Sequence, residues 1–160
     1  MKGIVVFDSV YGNTKQVADA IAEQIRADGH TADTLNLGET ESRKVEGDFM
    51  FVGSPTRMGR MTKNAKVFVE GLDAEYWKSR PIVAFDTVGP FPEDAEKRKI
   101  WLGRVTKSAA TRMQDNARER GLRVHPEALH IAVTGFKGPL ASDALDIARD
   151  FTHRFVAGLR

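Results

Sequence analysis

The chain has 160 residues and a net charge of +2, with 41% hydrophobic and 29% charged residues. This composition is typical of an ordinary globular protein, and the length predicts one domain over residues 1–160. The lack of cysteine excludes disulfides, thiolate metal sites and a cysteine nucleophile, so any redox chemistry would need a bound cofactor. No apolar run approaches the roughly 18 residues that cross a bilayer, so we expect a cytoplasmic protein without membrane insertion, and its small net charge predicts no nucleic-acid binding.

Strand and helix patterns alternate along the chain. The run KGIVVFD is a continuous β-branched and aromatic segment, typical of a strand that is buried on both faces. In the next segment Val17, Ile21 and Ile25 repeat at helical spacing, and Gly29 is placed to end the helix. The same patterns predict strands over 2–8, 30–37, 48–53, 80–86 and 128–134, and helices over 14–28, 62–72, 93–120 and 143–156.

The helix predicted over 93–120 is the longest of these elements. It carries Leu102, Val105 and Met113 on one stripe, Pro92 suits its first turn, and Gly121 would stop it. Five strands separated by helical segments predict right-handed crossovers and a parallel sheet covered on both faces, which is a three-layer, doubly wound α/β fold. Ligands of such sheets bind at the carboxyl ends of the strands.

The loop after the first strand suits an anion. Hydroxyl residues and a glycine open onto the start of a helix, where backbone N–H groups and the helix dipole favour a phosphate; the residues are Ser9, Val10, Tyr11, Gly12, Asn13 and Thr14. A plain strand-to-helix turn, with Asn13 or Thr14 as the N-cap, is the alternative. The loop has neither a Walker sequence nor a dinucleotide-binding fingerprint.

This loop resembles the phosphate loop of the flavodoxin family, T/S-x-T-G-x-T. Ser9, Gly12 and Thr14 match that pattern, while Tyr11 replaces its middle threonine. The resemblance implies the flavodoxin-like strand order 2-1-3-4-5 and flavin mononucleotide (FMN) as the cofactor. Tyr11 removes one phosphate hydroxyl but supplies a phenol.

The loop after the third strand is similar to the G-S-P-T-x-x-G loop of the same family. It contributes Ser54, Pro55, Thr56, Arg57, Met58 and Gly59. In the family this loop lies against the isoalloxazine ring. By resemblance, Gly59 would permit a backbone flip through which the Met58 carbonyl accepts a bond from the N5–H of the reduced ring.

The loop after the fourth strand matches the second ring-binding loop of the family by position. Backbone donors of Thr87, Val88 and Gly89 would meet the pyrimidine edge of the flavin, and Phe91 would stack on the ring. A core position for Phe91 is the alternative. A further glycine-rich loop over 134–139 follows the fifth strand, and the sequence assigns it no role.

Two functions with a flavin follow from the resemblance, and a third is of another class. The first is an electron carrier between redox partner proteins, and the second is an FMN-dependent NAD(P)H:quinone-type oxidoreductase. The third is a flavin-binding interaction module without a redox task. We favour the carrier, with neither a metal site nor a catalytic side chain, because the short chain lacks a nicotinamide fingerprint and a substrate insertion.

The charges are unevenly spread along the chain. Nine cations and five acids lie between residues 93 and 123; the cations are Lys97, Arg98, Lys99, Arg104, Lys107, Arg112, Arg118, Arg120 and Arg123. With Arg57 and Arg60 they predict a docking surface for an acidic redox partner. A solvated helix face is the alternative.

Overall fold

The computed structural model describes residues 1–39 and 44–159. Five strands form one parallel sheet in the order β2-β1-β3-β4-β5, which confirms the predicted fold class. The strands are β1 Lys2–Phe7, β2 Thr31–Asn36, β3 Phe49–Pro55, β4 Ile82–Val88 and β5 Leu129–Ala132. The helices are α1 Asn13–Ala27, α2 Lys63–Glu70, α3 Ala74–Trp77, α4 Ala95–Leu102, α5 Ala109–Glu119 and α6 Ala144–Ala157.

Helices cover both faces of the sheet, and alternate strand residues point to opposite sides. In β1, Val5 and Phe7 pack with α1 and α6, whereas Ile4 and Val6 pack with α2 and α5. Each face thus has its own apolar core, as the continuous hydrophobic strands predict. Within the described ranges, no helix is long and apolar enough to cross a membrane.

The single long helix predicted over 93–120 is wrong. The structure has two helices there, because α4 ends at Gly103 and α5 starts after Ser108. Ser108 and Thr111 form a capping box, in which each side chain bonds the backbone N–H of the other residue, at 3.3 and 2.9 Å. A well-capped new start satisfies the N–H groups that a continuous helix would have bonded internally.

The start of α4 also differs from the prediction. Asp94 is the N-cap and accepts hydrogen bonds from the N–H groups of Glu96 and Lys97, so Pro92 precedes the helix. The buried Arg98 fastens α4 by donating to the Pro92 carbonyl at 3.2 Å and to Asp143 of the α6 N-cap at 2.9 Å. Its guanidinium is therefore a structural group.

Gly53 in β3 tests how tightly its side of the sheet is packed against the neighbouring strand β4. A Cβ at this position would overlap the ring of Phe85, which is fully buried in β4. We expect Gly53→Ala to lower the free energy of unfolding by about 1–3 kcal/mol in urea denaturation, because a packed core does not accommodate an added methyl. Gly103→Ala is the control, since its Cβ would meet only ordinary contacts at 3.5 Å. An equal effect of the two substitutions would contradict the packing argument.

Candidate functional site

Four loops meet at the carboxyl edge of the sheet and enclose a cleft of about 390 Å³. Because all strand pairs are parallel, the loops after β1, β3, β4 and β5 emerge on the same side. The cleft is lined by Ser9, Val10, Tyr11, Asn13, Thr14, Pro55, Thr56, Arg57, Met58, Thr87, Val88 and Gly89, all of which were predicted as site residues, and by Val133 and Phe136.

Four predicted site residues, Gly12, Ser54, Gly59 and Phe91, are not among the lining residues. The hydroxyl of the buried Ser54 donates to the Pro55 carbonyl at 2.9 Å and accepts the N–H of Thr62 at 3.0 Å, so it holds the loop together. Gly12 and Gly59 shape the backbone of their loops.

Phe91 is placed away from the cleft lining. Its half-buried ring packs against the core on the α1 and α6 side and meets Trp101 edge-on, with 6.5 Å between ring centroids. The core alternative considered for Phe91 is therefore the one that the structure adopts.

The start of α1 presents unpaired backbone donors. The N-cap is Gly12, at φ 92°, with no side-chain cap, so the alternative of Asn13 or Thr14 as cap is wrong. Among the described residues, no acceptor pairs with the N–H groups of Val10, Tyr11, Asn13 or Thr14. Free N–H groups at the positive end of a helix, here one of 15 residues, are donors of the kind that favour a bound anion.

A buried hydroxyl pair joins this loop to the centre of the sheet. The Oγ1 atoms of Thr14 and Thr87 lie 2.9 Å apart, with both side chains buried. The Ser9 hydroxyl accepts the N–H of Gly12 at 3.1 Å. The hydrogen bonds of the loop thus fix its shape while its outer N–H groups stay open.

The loop after β3 ends in a tight two-residue turn. Arg57 and Arg60 exchange backbone hydrogen bonds of 2.8 and 3.0 Å, and the central residues Met58 and Gly59 have φ of 53° and 75°. Positive φ at both central residues is typical of a type I′ turn. The Met58 side chain is 99% exposed at the mouth of the cleft.

Helix α5 holds this turn against the sheet. The Thr56 hydroxyl accepts the N–H of Ala109 at 3.0 Å, and Arg112 Nε donates to the Gly59 carbonyl at 2.8 Å. The break before α5 is therefore part of the site architecture, because the N–H of Ala109 lies in the first turn of a helix and is free to bond Thr56.

A buried carboxylate secures the same helix. Asp86 accepts the N–H of Ala110 at 3.0 Å on Oδ2 and lies 2.9 Å from Nδ1 of His130 on Oδ1. The two residues are register partners in β4 and β5, so their side chains share a face of the sheet. Burial lowers the pKa of His130, but the hydrogen bond and the charge of Asp86 together outweigh this effect. The pKa of His130 is therefore raised above its ordinary value of 6.5.

Sequence reasoning missed Val133 and Phe136 as lining residues. Both residues follow β5, and the glycines of this segment and its position at the carboxyl edge of the sheet were the available signal. The side chain of Asn13 donates to the Lys137 carbonyl at 3.1 Å and thereby joins this loop to the loop after β1.

Comparison with known proteins agrees with this architecture. The sequence profile of the Flavodoxin domain family matches residues 4–157. A flavodoxin of Aquifex aeolicus (strain VF5) is 32% identical over 78 residues, which are 48% of this chain and 42% of that protein. The chain thus matches less than half the length of this curated relative.

Two solved structures share the fold. Oxidised flavodoxin 1 from Bacillus cereus superposes with a TM-score of 0.75 at 19% identity and full coverage of both chains. A flavodoxin from the domain Archaea superposes with a TM-score of 0.70 at 21% identity, covering 98% of this chain and 97% of its own. Since the family profile spans nearly the whole sequence, the chain belongs to the flavodoxin domain family.

The Asp86–His130 pair makes stability depend on pH. A histidine whose pKa is raised on folding stabilises the folded state below its unfolded pKa, near 6.5, and this contribution is lost as the pH rises through the folded-state pKa. We expect wild type to exceed His130→Gln in unfolding free energy by more at about pH 5.5 than at about pH 8.5.

Urea denaturation of both proteins at the two pH values measures this difference. Burial lowers the pKa of His125, and because the variant keeps this residue, its opposite contribution cancels in the comparison. A difference that is independent of pH would show that the Asp86 carboxylate does not favour the charged imidazole.

Proposed function

We propose that the protein binds one FMN in this cleft and carries electrons between redox partner proteins. The observation that carries the proposal is the row of free N–H groups at the start of α1, opening directly into the cleft. A phosphate needs such donors, and the adjoining space of about 390 Å³ is within the range of small-molecule sites. Membership of the flavodoxin domain family supports the same assignment.

The cleft divides into a polar and an apolar part. In this proposal the loop from Ser9 to Thr14 takes the phosphate through backbone N–H groups and the Ser9 hydroxyl. Pro55, Met58 and Val88 contribute apolar surface where a planar ring would lie, and the Thr87 to Gly89 backbone contributes polar atoms. Bound FMN would supply one- and two-electron redox chemistry that no side chain of this chain provides.

The mouth of the cleft suits transfer to another protein. Tyr11 and Met58 are exposed at its rim, so a ring bound between them would have an edge open to solvent. An oxidoreductase would also need to hold a nicotinamide beside the ring.

Stepwise addition of NADH or NADPH to the FMN-loaded protein, followed by its absorption spectrum, separates the two functions. If the protein is a carrier, we expect the absorbance of the oxidised flavin to persist after NADH or NADPH is added alone, and to fall only when a reducing partner protein or dithionite is added. Rapid bleaching by either nucleotide alone would decide for the oxidoreductase.

Several of the cations between residues 93 and 123 donate hydrogen bonds to the backbone of neighbouring segments, although Arg123 stays exposed. Four of the nine are engaged in holding the fold. Arg98 is buried, Arg112 bonds Gly59, Arg120 bonds the carbonyls ending α2, and Arg123 bonds the Ser79 carbonyl at 3.1 Å. A fifth, Arg118, forms a surface ion pair with Asp115, with 3.9 Å between Nη1 and Oδ1.

Of the remaining cations, Lys107 lies beside two cations of the turn after β3. Arg57 and Arg60 are exposed on the type I′ turn, and the backbone of Lys107 lies next to Gly59 of that turn. We define Arg57, Arg60 and Lys107 as the basic rim. An acidic surface on a redox partner would complement the basic rim at the point where the ring edge is exposed.

Binding of FMN in preference to riboflavin tests the phosphate site. We expect Gly12→Val to weaken FMN binding by about ten- to hundredfold and riboflavin binding much less, because a β-branched residue disfavours φ 92° and misdirects the N–H donors. Gly29→Val is the matched control, because Gly29 has φ 89° at the other end of α1 and, like Gly12, no atoms within 4 Å of an added Cβ. Fluorescence titration gives both affinities, and equal wild-type affinity for the two flavins would contradict the phosphate assignment.

The salt dependence of the reaction with a small anionic oxidant tests the basic rim. We expect oxidation of the reduced holoprotein by ferricyanide to slow by about tenfold as ionic strength rises from low to physiological values, because salt screens attraction beyond about 8 Å. Stopped-flow rates should lose this dependence in the Arg57→Glu/Arg60→Glu variant. Arg149→Glu/Arg154→Glu changes the net charge equally on α6, so an identical effect there would show that only the overall charge matters.

A further inference from the structure

Phe136 differs from the other phenylalanines of the chain. Of the nine, it alone is exposed, at 74%, while seven are buried and Phe91 is half-buried. A single exposed apolar side chain is unremarkable by itself. Phe136, however, lines the cleft together with Tyr11 and Met58, which are also exposed, so three apolar groups surround one concave site.

The loop that carries Phe136 is held in place by several hydrogen bonds. The N–H of Thr134 donates to the Pro139 carbonyl at 3.0 Å, and that of Gly138 donates to the Gly135 carbonyl at 3.1 Å. The Asn13 amide bonds the carbonyl of Lys137 at 3.1 Å, one residue beyond Phe136. The ring is therefore presented by a fixed backbone.

Tyr11 supports the same ring from the loop after β1. The two ring centroids lie 6.3 Å apart with a tilt of 54°, and the ammonium of Lys137 lies 5.6 Å from the Tyr11 centroid. Aromatic pairs at this separation attract each other, so Tyr11 restricts the positions that the Phe136 ring adopts.

No other phenylalanine or tryptophan lines the cleft among the described residues. Phe91, the aromatic residue that the sequence favoured, packs against Trp101 and the core. The loop from 53 to 62 contains no aromatic residue. A planar ligand in the cleft thus has Phe136 and Tyr11 as its available aromatic surface.

From this geometry we infer that Phe136 is the side chain that stacks on one face of the bound flavin ring, with Tyr11 as its support. The inference rests on the proposed FMN site and names the residue that covers the ring. Because the contact involves the ring alone, it contributes equally to FMN and to riboflavin binding. This separates it from the phosphate loop, which distinguishes the two flavins.

The test compares Phe136→Ala and Phe136→Trp with wild type in titrations with FMN and riboflavin. Phe136→Ala should weaken both affinities by a similar factor of about tenfold, since aromatic stacking is lost without changing the phosphate site. Phe136→Trp should restore the affinities and lower the fluorescence of the bound flavin below that of wild type, because indole is a better electron donor than benzene. Trp101→Ala removes another exposed aromatic ring outside the cleft and should leave both affinities unchanged.

Thermal melting of each apoprotein confirms folding, which the exposure of Phe136 leads us to expect in all variants. Wild-type affinities in Phe136→Ala, together with an unchanged flavin fluorescence in Phe136→Trp, would overturn the inference and leave the FMN site intact. Loss of FMN affinity alone would also overturn it, by placing Phe136 at the phosphate. If wild type binds neither flavin, the proposed function itself fails.

Discussion

Parallel pairing of β1, β3 and β4, each buried on both faces, is the constraint on which the rest of the structure depends. The pairing in register, with Phe7 opposite Gly53 and Gly53 opposite Phe85, ends these strands at one edge. The loops that follow must then share a single cleft. Because two helical layers cover the faces of the sheet, its carboxyl edge is where the free N–H groups at the start of α1 meet the loops of the other strands.

The two sides of the cleft are stabilised by different means. The side formed by the loop after β1 depends on the N-terminus of α1 and on the buried hydroxyl pair of Thr14 and Thr87. The opposite side depends on α5, whose first turn donates to Thr56 and to the Asp86 carboxylate. A buried carboxylate at a helix N-terminus is favoured by the helix dipole, and His130 adds a charged partner at low pH. The turn with Met58 is thereby held against a rigid element.

Surface charge in this protein cannot be evaluated by counting residues along the chain. Several arginines between residues 93 and 123 donate to backbone carbonyls and join α2, α4 and α5 to their neighbours. Planar guanidinium groups suit such multiple bonds better than ammonium groups do. A count of charged residues in a sequence segment therefore includes cations whose role is to hold helices and loops together.

The sequence by itself determined the five strands and the doubly wound class, because continuous apolar runs are local signals, although β3 and β4 extend to Pro55 and Val88 and do not end at 53 and 86 as predicted. The hydroxyl- and glycine-bearing segment from Ser9 to Thr14 was a local signal of the same kind, whereas the segment from Ser54 to Gly59 was assigned by family resemblance. Tertiary structure decided the break between α4 and α5, because the apolar stripe through Leu102 and Met113 is compatible with one long helix and with two shorter ones. It also decided that Phe91 packs inward while Phe136 faces the cleft. The direction of an aromatic ring on a loop depends on which neighbours bury it, and those neighbours come from distant parts of the chain.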